Sequence, residues 1–462
     1  MDYHKISLLY GDREIDQFIP KGRGRVRVIE SPEVPSEIES VEEDLIYHLE
    51  NPVNSPPLKD LVEEHYRGCG KKVFLLTDDN TRPNKHTKIL HPLILKYLQE
   101  ECGVKKDDLR ILIASGTHRP PTMAEIENLI LGPEVFREYQ DQVLVHDDSA
   151  NLSDLGTSSR GTPITINKDA YDSCLIIPIT DSEYHYFAGV AGTVKQLFPG
   201  IAGRRTTNSN HPRMFHPEHG FTPECQLGNT EGNPVITDMK EMAGFVKEHN
   251  PVFCVDAILD KGEITYLNAG DILSLHEIAR EKLKARRVVP VDEPGDLVIV
   301  SVGKLGLNLY QAGKGIHAAW NAVRQPGGTI LLLAPCQDGV GSAGYQETME
   351  AVRDQPLDEA LAWVLENKCS VETFRIGNQK PVDTLRILKT LENGKISVLS
   401  EMDPTDLEEI YRLNPIPGSE NPRQALRSYL TGYLDSKPEA LIYVLEDAGL
   451  FVVPKTDPGS PG

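Results

Sequence analysis

The chain has 462 residues, 25% of them charged and 39% hydrophobic, a size and composition that suit two or three domains with buried cores. Its net charge of −21 and pI of about 5.1 argue against nucleic acid as the main partner, although an acidic surface is compatible with one basic pocket for a small anion. The seven cysteines are widely spaced without a CxxC pair, and no apolar run reaches about 18 residues. We therefore expect a soluble cytoplasmic protein with reduced thiols and no membrane segment.

Short apolar runs alternate with amphipathic stretches over the first part of the chain. Buried strands are predicted at KKVFLLTDD (71–79), LRILIASG (109–116), QVLVHDD, SCLIIPIT and PVFCVDAIL. Between the first two, HTKILHPLILKYLQEEC carries leucines and isoleucines at helical spacing, and Thr122 and Glu125 have the spacing of a capping box. The alternation of strands and helices predicts a parallel sheet covered by helices.

A second βαβ unit follows a change of pattern around residues 262–295. Asp271 is the predicted N-cap of a connecting helix, and VVPVDEPGD reads as a linker. DLVIVSVG, a helix from about residue 315 and GTILLLAP then form the new unit, and the chain ends in two strand-like runs and a loose tail. We predict an α/β fold of two domains with mainly parallel sheets covered by helices and the active site in the cleft between them. Residues 1–275 form the cofactor-binding domain and residues 276–462 the substrate-closing domain, whose last segment is free to pack back on the first.

Polar clusters follow two of the predicted strands, at the edge where open parallel sheets bind ligands. Asp79 and Arg82 lie three residues apart in TDDNTRPNK, and His118 follows a Gly-Thr turn in ASGTHRPPT. A capping aspartate beside a solvated arginine is the structural alternative for the first cluster, and a hydrogen-bonded turn residue is the alternative for His118. Because histidine titrates near neutrality, His118 is also a candidate general acid or base.

The stretch HYFAGVAGTVKQLFPGIAG places Lys195 among glycines, ten residues after His185. It lacks the Gly-Lys-Ser/Thr sequence that ends a Walker-type motif, so an NTPase phosphate loop is excluded. The structural alternative is a glycine-rich connection with a surface lysine. Because glycine lets a ligand approach the main chain, the functional alternatives are phosphate pairing and covalent capture by a desolvated lysine.

Three histidines fall within nine residues of NHPRMFHPEH: His211, His216 and His219. They are suitable metal ligands, but prolines interrupt the helical spacing, so one ligand is more plausible than three. In the second domain, KLGLNLYQAGKGIHAAW combines the phenol of Tyr310, the amide of Gln311 and the ammonium of Lys314. Such a donor set suits a carboxylate with a hydroxyl group, and the first turn of a solvent-facing helix is the structural alternative.

Taken in order, these clusters resemble the lactate racemase family, whose members use a nickel-pincer nucleotide. That family has Asp-x-x-Arg-Pro and Gly-Thr-His-Arg-Pro turns and a histidine ten residues before the lysine that binds the cofactor covalently. It also has a nickel-ligating histidine sixteen residues beyond that lysine, and a Tyr-Gln-x-x-Lys substrate motif. The matching positions of this chain are Asp79, Arg82, His118, His185, Lys195, His211, Tyr310, Gln311 and Lys314.

The resemblance implies a racemase or epimerase that inverts C2 of a 2-hydroxy acid by reversible hydride transfer to the cofactor. This cofactor is the nickel-pincer nucleotide, pyridinium-3,5-bisthiocarboxylic acid mononucleotide nickel, covalently linked to Lys195. By the same resemblance His211 ligates nickel, and His118 and His185 act as the acid and base. The implied partners are the small 2-hydroxy acid substrate and the proteins that build the cofactor.

The remaining matched residues are implied to bind substrate or cofactor. Arg82 and Lys314 hold the substrate carboxylate, and Asp79 helps to position the nucleotide. Phe374 stands where the family usually has a tryptophan in its substrate pocket, and Gln379-Lys380 replaces the His-Lys that relatives often carry. These departures leave the hydroxy acid open among lactate, malate, an aryl-lactate and a sugar acid.

Two other functions are compatible with the sequence. The first is a zinc-dependent hydrolase or lyase that uses His211, His216 and His219, although no glutamate base lies at the expected spacing. The second is a non-catalytic nucleotide-binding homologue that has kept the fold.

Overall fold

The computed structural model describes residues 2–82, 84–446 and 448–454, which form two compact units. The N unit comprises Val34–Met214 and Glu224–Ala285. The C unit comprises the described residues up to Glu33, the segment Phe215–Pro223 and the described residues from Arg286 onward. The predicted loose tail, residues 455–462, lies outside the described residues.

The strands and α-helices of both units are numbered in chain order. The strands are β1 (Ser7–Tyr10), β2 (Arg13–Asp16), β3 (Arg25–Ile29), β4 (Val73–Thr77), β5 (Leu109–Ile113), β6 (Val143–Val145), β7 (Leu152–Thr157), β8 (Pro163–Asn167), β9 (Leu175–Asp181), β10 (Tyr184–His185), β11 (Gly189–Val190), β12 (Phe215–His216), β13 (Gly220–Phe221), β14 (Cys254–Asp260), β15 (Glu263–Gly270), β16 (Val288–Val291), β17 (Leu297–Ser301), β18 (Thr329–Leu333), β19 (Lys395–Leu399), β20 (Asn414–Pro415), β21 (Leu441–Leu445) and β22 (Phe451–Pro454). The helices are α1 (Val41–Glu50), α2 (Leu58–His65), α3 (Lys85–Glu100), α4 (Met123–Glu125), α5 (Pro133–Tyr139), α6 (Lys168–Tyr171), α7 (Val194–Leu197), α8 (Arg204–Asn210), α9 (Pro234–His249), α10 (Ile272–Arg287), α11 (Leu309–Trp320), α12 (Ala343–Ala351), α13 (Leu357–Lys368), α14 (Gln379–Leu391), α15 (Pro404–Glu409) and α16 (Pro422–Ser436).

The N unit is built on a six-stranded sheet in the order β15-β14-β9-β4-β5-β6. Every neighbouring pair is parallel except β14 and β15, which form an antiparallel edge. The apolar runs predicted as strands supply β4, β5, β6, β9 and β14, and all five residues of β4 are buried. One face of the sheet packs against leucines and isoleucines of α1, α2 and α3.

The C unit has a fully parallel six-stranded sheet in the order β20-β19-β18-β17-β21-β3. The two units together confirm the predicted α/β fold of two domains with mainly parallel sheets. The sequence did not reveal that β3, near the amino terminus, pairs with β21, so that residues 2–33 belong to the C unit. The functional division at residue 275 stays a prediction.

Three local predictions can be compared directly with the structure. Thr122 and Glu125 form the capping box, and the Asp271 carboxylate accepts a hydrogen bond from the Ser274 amide at 3.0 Å at the start of α10. The predicted linker VVPVDEPGD is instead partly β16, which pairs with β22, so the last described strand packs within the C unit. Helix α11 begins at Leu309, earlier than predicted, because the Asn308 side chain caps it through the Gln311 amide.

Candidate active site

The turn after β4 is fixed by its own side chains. Asn84 has a left-handed backbone (φ 52°), and its Nδ2 donates to the carbonyl oxygens of Asp79 at 2.6 Å and Arg82 at 3.0 Å. The amide and hydroxyl of Thr81 both donate to Oδ1 of Asp79, at 3.0 and 2.5 Å. This Asx-type turn leaves Oδ2 of Asp79 available for a partner from the neighbouring strand end.

That partner is His118, whose Nδ1 lies 2.6 Å from Oδ2 of Asp79. Asp79 is 4% exposed, whereas 44% of the His118 side chain is exposed. Burial raises the pKa of Asp79, but the hydrogen bonds from His118 and Thr81 and the charge of Arg82 outweigh it, so this pKa lies below the usual value. The pair is therefore a carboxylate that orients an accessible imidazole, and a contact of Asp79 with a nucleotide stays a prediction.

Arg82 lies partly buried in a strongly acidic environment. Its Nε is 3.9 Å from a carboxylate oxygen of Glu183. Burial lowers the pKa of Arg82, but the negative charges of Glu183, Asp78, Asp79 and Asp181 raise it above its ordinary value. The guanidinium is thus a permanent cation, as an anion-binding role requires.

The glycines of HYFAGVAGTVKQLFPGIAG pack against protein rather than leaving open space. Residues of β10 and β11 form a hairpin that pairs His185 with Gly189. Gly189 has a φ of 80°, and a Cβ there would lie 2.1 Å from the Asn229 carbonyl oxygen. Gly192 also has a φ of 80°, and its Cβ would lie 2.7 Å from Oγ of Ser182. The interpretation that these glycines bring a ligand to the main chain is therefore not supported at these two positions.

Phe187, which sequence reasoning missed, connects three of the predicted site residues. Its ring centroid is 4.5 Å from that of His185 and 5.3 Å from that of His211, both in edge-on geometry. The Nζ atom of Lys195 lies 5.5 Å from the same centroid. Phe187 is only 3% exposed, so the surrounding protein holds its ring in place. The imidazoles of His185 and His211 and the ammonium of Lys195 pack against this ring.

The backbone before Lys195 is held by a buried side-chain pair. Thr193 has a φ of 41°, unusual for a β-branched residue, and its Oγ1 lies 2.7 Å from Nδ1 of His276. Burial and the charges of Lys240 and Arg280 lower the pKa of His276 to about 3. A neutral His276 therefore anchors the residue that leads into α7 and Lys195.

His211 follows α8 and is buried. Burial and the positive charges of Lys195 and His118 lower its pKa to about 3, which makes it a neutral imidazole at neutral pH, the form that binds metals. His216 and His219 belong to the C unit, where their rings stack at 4.6 Å. Within the described part of the chain, the metal-binding atoms of Asp78, His86 and Asp181 lie within 4.8 Å of one another, whereas the predicted histidine trio does not form such a group.

The predicted substrate residues of the C unit lie on one helix. Tyr310 and Lys314 are one turn apart on α11, and the hydroxyl oxygen of Tyr310 accepts a hydrogen bond from Nε2 of Gln379 at 3.1 Å. Lys380 is buried with its Nζ 5.9 Å from the Tyr310 ring centroid. Burial and the charge of Lys314 lower the pKa of Lys380 to about 8, against the opposing effect of Asp383.

Phe374 is completely buried in the C unit, and its ring centroid lies 5.9 Å from that of Phe215. The predicted pocket residue is thus also part of an aromatic core contact. Its contact with substrate stays a prediction.

Fold and side chains together define a two-domain α/β enzyme with an oriented imidazole, a permanent cation and a lysine-bearing turn after the strands of a parallel sheet. A family model described as the lactate racemase N-terminal domain matches residues 10–222, and one described as the lactate racemase C-terminal domain matches residues 291–380. The chain is 31% identical to the lactate racemase of Lactiplantibacillus plantarum over 331 residues, 71% of this chain and 73% of that protein. It is also 31% identical to the lactate racemase of Thermoanaerobacterium thermosaccharolyticum over 373 residues, 77% of this chain and 82% of that protein. The chain belongs to the lactate racemase family and is an isomerase of the racemase class.

Solved structures agree with this assignment. The lactate racemase apoprotein of T. thermosaccharolyticum superposes with a TM-score of 0.79 and 25% identity, covering 98% of this chain and all of that one. A protein from Thermotoga maritima shares the fold, with a TM-score of 0.64 and 17% identity over 92% of this chain and all of that one. Among the described helices, none has the length and hydropathy needed to cross a membrane.

Proposed function

We propose that this protein inverts C2 of a small 2-hydroxy acid with a nickel-pincer nucleotide bound covalently at Lys195. When bound, this group accepts a hydride from C2 and returns it. The observation that carries the proposal is the packing around Phe187, which brings His185, Lys195 and His211 against one buried ring. These are the residues for which the family resemblance implies acid/base, covalent and nickel-binding roles.

The donor set of the N unit fits the chemistry of this cofactor. An amine is needed for the covalent link, and Lys195 supplies one beside the Phe187 ring. A neutral nitrogen ligand suits nickel, and burial keeps His211 neutral. Arg82 provides a permanent positive charge for the phosphate or for the substrate carboxylate.

His118 acts on the substrate hydroxyl through Nε2. Because the Asp79 carboxylate accepts the proton of Nδ1, a neutral His118 has its lone pair on Nε2, the form of a general base. The Asp79 carboxylate then stabilises the imidazolium that forms when His118 takes the hydroxyl proton.

His185 has the opposite tautomer. Its Nδ1 accepts a hydrogen bond from the Ala188 amide at 3.2 Å, so a neutral ring carries its proton on Nε2. In this state His185 presents a donor to the substrate oxygen, as a neutral histidine does when it polarises a carbonyl group. The two imidazoles therefore offer a base at His118 and a hydrogen-bond donor at His185 in the resting protein.

In the C unit, Tyr310, Gln311 and Lys314 bind the carboxylate and hydroxyl groups of the substrate. The bond from Gln379 to Tyr310 fixes the phenol, and Lys314 supplies the cation. Phe374 adds apolar bulk, and the choice among lactate, malate, an aryl-lactate and a sugar acid depends on this unit.

The test is to coexpress the chain with the cofactor-building proteins and to measure both adduct and activity. We expect a mass increase that maps to Lys195, bound nickel, and racemisation of at least one hydroxy acid in a chiral screen. Lys195→Arg keeps the charge and should give neither adduct nor activity. A wild-type protein without adduct and nickel would overturn the proposal, and a loaded protein that racemises none of the acids would favour the non-catalytic nucleotide-binding alternative.

A further inference from the structure

A second group of potential metal ligands lies beside the candidate active site in the N unit. Asp78 follows β4, Asp181 ends β9, and His86 is in the first turn of α3. Strands β4 and β9 are parallel neighbours, so their carboxyl ends bring both aspartates to the same edge of the sheet. One ligand atom from each of the three side chains lies within 4.8 Å of the others.

His86 is completely buried between the two carboxylates. Its Nε2 lies 3.6 Å from Oδ2 of Asp78, and its Nδ1 lies 3.5 Å from Oδ2 of Asp181. Among the described residues neither ring nitrogen has a hydrogen-bond partner. A buried polar nitrogen without a partner destabilises the fold, so an imidazole with two of them points to a ligand for the ring.

The charges around His86 also call for a cation. Four carboxyl groups, those of Asp78, Asp79, Asp181 and Glu183, act on one guanidinium, that of Arg82. A divalent cation among these side chains balances the charge and satisfies a ring nitrogen.

We infer that Asp78, His86 and Asp181 form a binding site for a divalent cation of the zinc type, distinct from the proposed nickel ligand His211. One imidazole nitrogen with two carboxylate oxygens is a ligand set that Zn²⁺ accepts, at distances of about 2.0–2.2 Å, with water completing the coordination. One ring nitrogen of His86 and one oxygen of each aspartate lie within 4.8 Å of one another, and these three atoms would bind a single ion.

The site is connected to the lysine-bearing turn. Nε2 of Gln196, the residue after Lys195, donates to Oδ1 of Asp78 at 3.3 Å and to the Ile179 carbonyl oxygen at 2.8 Å. This hydrogen bond holds Oδ1 of Asp78, so Oδ2 of the same carboxyl group remains directed at His86. The cation therefore stabilises α7, and it does so whether or not the proposed cofactor is bound.

Zinc binding is measured on full-length protein made without the cofactor-building proteins and stripped with a chelator. His211→Ala is the background, since it removes the proposed nickel ligand. Equilibrium dialysis against Zn²⁺ with elemental analysis should show one zinc per chain, and zinc should raise the melting temperature. His86→Gln and Asp181→Asn should each weaken binding by about 10- to 100-fold.

Asp256→Asn is the matched control. Asp256 is a buried carboxylate close to the same group, but its oxygens accept hydrogen bonds from Thr180 and Ser182. This variant should keep its zinc, because it alters a buried carboxyl group nearby without removing a ligand. Wild-type protein that binds no zinc, or His86→Gln and Asp181→Asn variants that bind it as tightly as the background, would overturn the inference.

X-ray absorption of the zinc-loaded background gives a test that does not depend on the ligand variants folding. One imidazole with oxygen neighbours at about 2.0–2.2 Å is the expected coordination. Sulfur neighbours would place the metal on cysteines, and a spectrum without imidazole scattering would exclude His86. Either result would contradict the assignment of the zinc site to Asp78, His86 and Asp181.

Discussion

Oδ2 of Asp79 lies 2.6 Å from Nδ1 of His118, and the two side chains differ tenfold in exposure, 4% against 44%. The buried partner is fixed by Thr81, so it determines the ring orientation and tautomer of the accessible partner. Nothing in the spacing of TDDNTRPNK and ASGTHRPPT reveals this pair, because it depends on two strand ends meeting at one edge of the sheet.

Asp79→Asn is expected to lower the rate of racemisation by about 10²- to 10⁴-fold. The amide group keeps the shape of the side chain but no longer favours the Nδ1–H tautomer of His118, so the base atom is lost. Initial rates on both enantiomers, measured with cofactor-loaded protein, test this. The imidazole ¹⁵N shifts of His118 should show the tautomer change in the unloaded protein as well.

Asp147→Asn is the control for this change. Asp147 is exposed and accepts hydrogen bonds from the amide and hydroxyl of Ser149, so the same chemical change occurs at a turn without an imidazole partner. Activity should stay close to wild type. Equal losses in the two variants would show that the role assigned to Asp79 is wrong.

Phe187→Leu tests the ring that connects the proposed cofactor residues. Leucine keeps an apolar side chain but loses the edge contacts with His185 and His211 and the cation–π contact with Lys195. Each aromatic contact contributes about 0.5–1.5 kcal/mol, so we expect a fall in turnover on the order of tenfold. Chiral chromatography of product at saturating substrate measures it.

Tyr186→Phe provides the comparison for Phe187→Leu. The Tyr186 ring stacks on His185 at 5.1 Å, and phenylalanine keeps this stack while removing only the hydroxyl group. Its turnover should remain much nearer to wild type. A loss as large as that of Phe187→Leu would mean that the hairpin as a whole, rather than the Phe187 ring, supports the site.

Most strands of both sheets could be predicted because they read as short apolar runs. The residues at their ends could be found because polar groups after such runs are unusual, and the family spacing then separated Lys195 and His211 from the other basic residues. The pairing of β3 with β21 could not be predicted, since RVRVI carries alternating arginines and lies more than 400 residues from its partner strand. His86 could not be recognised as a potential metal ligand either, because in the sequence it is an ordinary polar residue at the start of an amphipathic helix.

Phe374→Trp introduces the tryptophan that the family usually has at this position of the substrate pocket, and the structure predicts a loss of stability. Phe374 is fully buried against Phe215, so a larger indole overpacks this contact. We expect the C unit to lose about 1–3 kcal/mol of stability, with a lower melting temperature in calorimetry. A variant that melts like wild type and changes its preferred hydroxy acid would show that the position has open space on its substrate side.

His276→Gln tests the buried support of Thr193 through proton binding. The pKa of His276 is about 3 in the folded protein and about 6.5 in an unfolded chain, so the unfolded state binds more protons between these values. Stability associated with His276 is therefore complete above pH 6.5 and declines as the pH falls toward 3. At pH 5 the variant should take up about one proton fewer on unfolding, as measured by calorimetry in buffers of different ionisation enthalpy.

Thr193→Val is the control, because it removes the hydrogen bond to Nδ1 but leaves the imidazole buried. Burial is the main cause of the shift in pKa, so the proton uptake of this variant should match wild type. Unchanged uptake in His276→Gln would show that this imidazole is not held neutral in the folded protein.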